Sequence, residues 1–144
     1  MLFRSAVGRE GTYNGAYIYG YVSNLRLVVG NSVYSSNFTP STTPLTAVAN
    51  TKLLTCQSNR FLDNSTNAYV WSTVSSPSVK TFIPFEPTTA YSAATNGGGG
   101  YFDGSGDYLS MTTGTSLGSG DFTMSCWVYL TSAPGSETPA VCSS

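Results

Sequence analysis

The sequence predicts an all-β protein, and three features of the chain support that prediction. Several short stretches alternate apolar and polar side chains, which is the period of a strand with one buried face. No window repeats apolar residues at i, i+3, i+4 and i+7 over three turns, as an amphipathic helix would. Gly, Pro, Asn and Asp separate the alternating stretches at short intervals, as they do in turns between antiparallel strands. Together these features predict an antiparallel β-sandwich of the jelly-roll kind.

The first long strand is predicted in "YGYVSNLRLVV", residues 19–29. Its alternation places Leu25, Leu27 and Val29 on one face and Asn24 and Arg26 on the other. Further strands are predicted where a short apolar run or an alternation is bounded by turn residues. They lie in residues 50–56, 68–75 and 100–111, the last folding back at its Asp-Gly-Ser-Gly turn.

The clearest alternation is "GDFTMSCWVYL", residues 120–130. One parity is apolar and consists of Phe122, Met124, Cys126, Val128 and Leu130. The other parity is more polar and consists of Thr123, Ser125, Trp127 and Tyr129. We expect the apolar parity to face a core.

Three stretches are predicted as connections because Pro, Gly and small polar residues dominate them. Residues 35–49 resemble an extended linker, and residues 84–100 a long loop that the four glycines at 97–100 make flexible. Residues 131–144 are predicted as a loop-like tail without a closing strand.

The composition favours a folded domain with an unusually neutral surface. Apolar residues make up 40% of the chain and charged residues 9%, against about 25% in typical domains. Such a surface is typical of extracellular and virion-surface β-proteins. The six basic residues are scattered, which excludes the basic cluster of a nucleic-acid site, and no apolar run reaches the ~20 residues of a membrane span. The first residues lack the apolar stretch of a signal peptide, so export would use another route, such as virion assembly and lysis.

Three cysteines, Cys56, Cys126 and Cys142, have no metal-type spacing. Cys126 lies on the apolar parity of its strand and is predicted to be a small core side chain. A Cys56–Cys126 disulfide stays open, because it depends on a Cα separation that the sequence does not give.

Three stretches together resemble the N-terminal half of a laminin-G-like, concanavalin A-type jelly-roll domain: "LLTCQSNRFLDNSTNAYV", "GGGGYFDGSGDYLSM" and "GDFTMSCWVYL". An earlier stretch, "GYVSNLRLVVGNSVYSSNFTP", is similar to the C-terminal end of the same domain type. Such domains occur in tandem in phage fibre proteins and bacterial adhesins. The resemblance therefore implies a repeat protein of an extracellular or virion surface.

The order of these pieces is inverted, since the end of a domain precedes the beginning of one. Residues 1–45 resemble the C-terminal part of one repeat, and residues 46–144 the N-terminal part of the next. Half a sandwich leaves strand edges and an apolar face without partners, which favours association. The chain is then either a repeat cut across its natural boundary, or a subunit whose pieces close on each other or on neighbouring copies.

Catalysis is not expected from this sequence. It contains no histidine, the commonest general base and zinc ligand. Glycan hydrolases of the jelly-roll type place acidic residues in an E-x-D-x-x-E pattern, which is absent here. Asp103 and Asp107 flank a glycine turn, where aspartate is a usual turn residue.

A calcium site is the one cofactor that the resemblance implies, because laminin-G-like relatives often bind calcium at the sandwich rim. The candidate ligands are Asp63, Asp103 and Asp107, with Asn64 and Asp121 as further oxygen donors. The alternative is that these residues form Asx turns and cap loops.

Carbohydrate contact is the second candidate activity, since exposed aromatic rings stack on sugar faces. Tyr69, Trp71, Trp127 and Tyr129 occupy the more polar parity of their strands and are predicted to form such a platform. The tyrosines at 13, 17, 19 and 21 are further candidates for such a platform, with the same alternative. The alternative is that both faces of these strands are covered, by the opposite sheet and by loops or a neighbouring domain.

The predicted function is a non-enzymatic structural and adhesive module of an extracellular or virion fibre, which contributes to glycan or host-surface recognition. The alternative is a purely structural fibre or coat subunit that assembles by strand exchange. A third class is a domain attached to a glycan-degrading enzyme. The expected partners are neighbouring repeats or copies and a cell-surface glycan, with neither nucleic acid nor membrane insertion.

Overall fold

The computed structural model describes residues 6–10, 16–85, 90–111, 117–132 and 140–143. Its strands are β1 (Ala6–Val7), β2 (Tyr19–Val29), β3 (Thr51–Thr55), β4 (Trp71–Val74), β5 (Ser78–Lys80), β6 (Gly99–Asp103), β7 (Tyr108–Met111), β8 (Phe122–Leu130) and β9 (Cys142–Ser143). One helical turn, α1 (Ala93–Asn96), precedes β6. Among these residues no helix has the length and apolar character needed to cross a membrane.

The strands form two antiparallel sheets, which confirms the predicted β-sandwich. The smaller sheet has the order β4-β7-β1-β9. The larger sheet has the order β3-β2-β6-β5, and β8 also pairs with β2. All pairings recorded between these strands are antiparallel.

Strand β2 is the centre of the larger sheet. Its first half pairs with β6 and its second half with β3, so these two strands share one edge of β2. Strand β8 runs along the whole of the other edge, from Gly20 to Val29 of β2. A side chain at Gly20 would clash with the backbone of Tyr129, so the close approach of β8 requires this glycine.

A β-bulge interrupts β2 where its partner changes. Ser23 pairs with Trp127 and Arg26 with Ser125, so Asn24 and Leu25 together lie opposite Cys126. Asn24 adopts a left-handed conformation with φ 56°, which asparagine tolerates better than most residues. The extra residue shifts the alternation by one position.

The core between the sheets includes the predicted face of β2. Leu25 and Leu27 are buried in it and Val29 packs against it, as the alternation predicts. Across the bulge, Val22 joins the same face. The other members of the core cluster are Val7, Ile18, Leu53, Cys56, Phe102 and Leu109. Burial of such aliphatic and aromatic side chains stabilises the fold by about 1.5–3 kcal/mol each.

Residues 31–50, which include the predicted linker, cover part of the outer face of β2. The Arg26 guanidinium donates to the carbonyl oxygen of Thr46 at 3.2 Å and to the Tyr34 hydroxyl at 3.0 Å. The Leu45 N–H donates to Asn24 Oδ1 at 2.6 Å. These bonds explain why Arg26 is only 5% exposed although it points away from the core.

Two sequence predictions for connections are wrong. The glycines at 97–100 are buried rather than flexible: a Cβ at Gly98 would lie 2.9 Å from the Ser58 carbonyl oxygen, and one at Gly99 2.7 Å from that of Phe82. They allow close backbone approach. The tail also contributes a strand, because Cys142 of β9 pairs with Val7 of β1. Local composition gives no sign of either pairing.

The two predicted partial repeats close on each other within one sandwich. Strand β1, from residues 1–45, lies between β7 and β9, which come from residues 46–144. Strand β2, also from residues 1–45, lies between β8 on one edge and β3 and β6 on the other. The division into two repeats stays a prediction from resemblance.

Candidate functional site

The larger sheet carries a patch of aromatic rings on its outer face, at the centre of which lies Tyr21. Cross-strand register places Tyr101 of β6 on one side of Tyr21 and Tyr129 of β8 on the other. Side chains directly opposite in antiparallel strands share a face. Phe82, just after β5, completes what we call the outer aromatic patch: Tyr21, Phe82, Tyr101 and Tyr129.

The rings of the outer aromatic patch contact one another at tilted angles. The Tyr21 ring centroid lies 4.5 Å from that of Phe82 and 5.0 Å from that of Tyr101. The Phe82 centroid lies 5.1 Å from that of Tyr129. Tyr21 and Tyr101 are half-buried, while Tyr129 remains 54% and Phe82 40% exposed.

One depression adjoins the patch, and a second lies beside Trp127 of β8. An open groove of about 690 Å³ includes Tyr21, Lys80, Phe82 and Tyr91 in its lining. A smaller hollow of about 200 Å³ is lined by Trp127 together with Tyr34, Phe38, Pro40, Ser41, Leu45, Ser125 and Cys126. The rings of the patch therefore lie beside a groove whose volume is in the range of small-ligand sites.

The polar groups of the outer aromatic patch itself are tyrosine hydroxyls, which are neutral donors and acceptors. Loss of hydration and then the neighbouring Tyr19 hydroxyl raise the pKa of Tyr101 above its ordinary value. This phenol therefore keeps its proton at physiological pH and can both donate and accept. Lys80 adds an ammonium donor at the groove. Flat apolar faces edged by hydroxyls match the faces and hydroxyls of a sugar ring.

The four aromatic residues predicted to form a platform do not lie together. Tyr129 belongs to the outer aromatic patch. Trp127 lies outside it and makes an edge contact with Phe85 of the open groove, with ring centroids 6.2 Å apart. Trp71 belongs to β4 in the opposite sheet and packs against the core, with its Nε1 buried and unpaired. Tyr69 precedes β4 and is half-buried.

The tyrosine cluster is also divided. Tyr21 is the centre of the outer aromatic patch, and Tyr19 is 44% exposed beside Tyr101. Tyr17 forms an isolated bridge with Arg9. Tyr13 lies outside the described residues.

Asp63, the first candidate metal ligand, organises the turn after β3. Its Oδ1 accepts from the backbone N–H groups of Leu54 at 3.0 Å and Ser65 at 2.9 Å. Its Oδ2 accepts from the Ser65 hydroxyl at 2.9 Å and the Tyr69 N–H at 3.0 Å. Both oxygens are thus engaged by protein donors, the arrangement of an Asx turn.

Asp103 and Asp107 lie together at the turn between β6 and β7. Asp107 Oδ2 accepts from the Asp103 N–H at 3.2 Å, and its Oδ1 from the Ser76 N–H at 2.7 Å. Asp103 Oδ1 accepts from the Ser105 N–H at 2.8 Å. Within the part of the chain that the structure describes, no three His, Cys, Asp or Glu side chains are grouped to hold a metal ion. The observed roles are those of turn residues, and the calcium site stays a prediction.

The three cysteines are free thiols near the core. Cys56 belongs to the core cluster, and Cys126 and Cys142 pack against it, as predicted for Cys126. Burial raises the pKa of Cys56 to about 12 and also raises the pKa of Cys126 and of Cys142. Thiols with such pKa values are protonated and unreactive at neutral pH.

Phe82 and Tyr101 are site residues that the sequence prediction missed. Tyr101 alternates with the core residue Phe102, so the parity of β6 would have placed it on the outer face. Phe82 stands in an irregular segment, where no period predicts direction. Its contact with Tyr21 depends on long-range pairing.

Comparison of the chain with protein-family models, with curated proteins and with solved structures finds no match.

Proposed function

We propose that the chain is a non-enzymatic adhesive β-sandwich module that recognises glycans through its outer aromatic patch. The observation that carries the proposal is the group of four ring-contacting aromatic side chains on one open sheet face, with two of them at least 40% exposed. An exposed aromatic surface of this kind usually marks a binding site.

The setting of the module is proposed from the same reasoning. The charge-poor surface and the laminin-G-like resemblance support a place on an extracellular or virion fibre, with a cell-surface glycan as the ligand. The patch itself consists of aromatic residues and has no carboxylate, so the sugar contact that we propose does not depend on calcium.

The test is a glycan array followed by titration of the bound sugar against single-residue variants. Tyr129→Ala should weaken binding roughly fivefold, because one stacking contact contributes about 1 kcal/mol. Tyr129→Phe should retain most of the affinity, since the ring remains. Tyr69→Ala is the matched control, because it removes a tyrosine ring outside the patch.

Three results would count against glycan recognition by this surface. One is an array without any bound sugar, and another is equal loss of affinity in Tyr129→Ala and Tyr69→Ala. The third is binding that disappears in EDTA, which would move the site to the acidic turns.

A second candidate function is the joining of copies into a fibre or coat, and the exposure of β8 favours it. Cross-strand pairing puts Met124 on the same face as the core residue Leu27, and Val128 on the same face as Val22. Yet Met124 is 37% and Val128 41% exposed. The smaller sheet therefore leaves the core face of β8 largely uncovered, which suits association.

A further inference from the structure

Strand β8 has one edge without a partner strand among the described residues. β3 and β6 occupy one edge of β2 and β8 the other, and β8 pairs with no strand besides β2. An open edge presents unpaired N–H and C=O groups, which form a template for another strand.

The even-numbered residues of β8 direct their backbone groups to this open edge. Gly30 donates to the Asp121 carbonyl oxygen at 2.6 Å and the Thr131 N–H donates to Tyr19 at 3.0 Å, so both ends bond β2 through odd-numbered residues. Successive residues of a strand alternate between its two edges. Phe122, Met124, Cys126, Val128 and Leu130 therefore carry the free donors and acceptors.

The same five residues carry the apolar side chains of the uncovered core face. Their exposed fractions are 53% for Phe122, 37% for Met124, 41% for Val128 and 42% for Leu130, while Cys126 is half-buried. Backbone pairing at this edge would also cover the apolar core face of β8, because side chains of opposed residues lie side by side.

Strand β8 also lacks the devices that keep sheet edges from pairing. Its nine residues include no charged residue, no proline and no glycine. The bulge opposite Cys126 belongs to β2 rather than to β8. Proteins that avoid edge pairing place lysine, proline or a bulge on such a strand.

We propose that two copies of this chain pair their β8 strands antiparallel, about a twofold axis at Cys126. In this register Cys126 faces Cys126 of the second copy, Met124 faces Val128, and Phe122 faces Leu130. Each of these pairs joins two even-numbered residues, so the open backbone groups bond each other and, on the core side, apolar side chains meet apolar side chains. The two larger sheets become one continuous sheet.

A second copy is the occupant that this edge fits because the edge is complementary to itself. The central position of the nine-residue strand lies on the axis, and the facing even-numbered side chains of both halves are apolar and neutral. A twofold contact uses the same surface on both subunits. The inference deepens the second proposed function and rests on it, and it is independent of sugar binding.

The size of the contact predicts a weak, reversible association for free copies. Taking ~150–250 Å² for a large side chain, the exposed parts of the four apolar residues amount to on the order of 700 Å² over two copies. Stable complexes bury roughly 1,200–2,000 Å². Copies held near each other in a fibre would pair more readily, through a higher effective concentration.

The pairing would also place both outer aromatic patches on one side of the joined sheet. Opposed residues of antiparallel strands share a face, and Tyr129 lies on the face away from Met124 in each copy. The dimer would therefore present two copies of the patch to one surface.

The first test is sedimentation of the full chain over a range of concentrations. The wild-type chain should pass from monomer to dimer as its concentration rises. Val128→Lys should stay monomeric at every concentration, because it puts a charge on the face that pairing covers. Thr66→Lys is the matched control, since it adds the same charge in the exposed turn after β3, across β2 from β8, and should dimerise like the wild type. Circular dichroism and melting establish that both variants are folded.

The second test fixes the register by cross-linking with diamide, a thiol oxidant. Facing residues of a bonded pair have Cα atoms ~5.5 Å apart, within disulfide range. A mixture of Met124→Cys and Val128→Cys chains, each with Cys126→Ser, should link between chains. Either variant alone should not, because its new thiols lie on opposite sides of the axis.

The outcomes separate this inference from the functions on which it builds. Dimerisation lost in Val128→Lys, with cross-links in the mixture only, supports the β8 register. Dimerisation that Val128→Lys leaves intact, or cross-links equal in the mixture and the single variants, overturns the register while the joining of copies stands. A chain that stays monomeric at all concentrations overturns both, and leaves sugar binding untouched.

Discussion

At the scale of single residues, Asp63 has the side chain of a metal ligand, but its carboxylate accepts hydrogen bonds that hold the backbone in place. The Asp63 side chain is 8% exposed and accepts four hydrogen bonds, one from Leu54 of β3 and three from Ser65 and Tyr69 after it. Sequence reasoning named both the metal and the turn role for this residue. It could not choose between them, because the choice depends on which donors the fold brings to the two oxygens.

The hydrogen bonds of Asp63 predict that its substitution lowers the stability of the fold whether or not a metal ion is present. Asp63→Ala should lower the free energy of unfolding by about 2–4 kcal/mol, because it leaves buried N–H donors unsatisfied. Urea unfolding measures this change. Asp103→Ala is the matched control and should cost less, since the bond from Asp103 to Ser105 is exposed. A loss seen only when calcium is present would assign Asp63 to a metal site.

At the scale of elements, the alternation of β2 and β8 predicted both strands and their faces. It did not predict the bulge in β2, nor that the opposite sheet leaves most of β8 uncovered. The bulge at Asn24 shifts the faces of β2, so Val22 and Leu25 are both core residues despite opposite parity. In β8 the apolar parity does point to the core side, as Cys126 shows. The other positions are exposed because the opposite sheet does not extend over them. Periodicity gives the direction of a side chain but not what lies above it.

The bulge predicts an unusual order of stability among substitutions at Asn24. Its φ of 56° favours glycine over alanine, whereas its side chain accepts from the Leu45 N–H and donates to Ser23 Oγ. Asn24→Gly loses these two hydrogen bonds, while Asn24→Ala loses them and also incurs about 1–2 kcal/mol of backbone strain. Urea unfolding should therefore rank Asn24 above Gly and Gly above Ala. An alanine variant at least as stable as the glycine variant would contradict the left-handed conformation.

At the scale of the whole molecule, the sequence predicted the sandwich and an unpartnered apolar face, and the structure locates that face on β8. The resemblance to two partial repeats left two alternatives: a repeat cut across its natural boundary, or pieces that close on each other or on neighbouring copies. In the structure, β1 and β2 of the first piece pair with strands of the second. The outer aromatic patch could not be predicted whole, because its rings come from β2, β6, β8 and an irregular segment that meet only in the folded chain.

The central claim is that β8 is an edge strand with one bonded and one open side, and amide-resolved hydrogen exchange tests it most directly. In dilute protein the amides of Thr123, Ser125, Trp127 and Tyr129 should be protected by β2, while those of Met124, Cys126, Val128 and Leu130 exchange rapidly. At high concentration the second group should become protected as copies pair. Uniform protection of all eight amides in the dilute monomer would contradict the account.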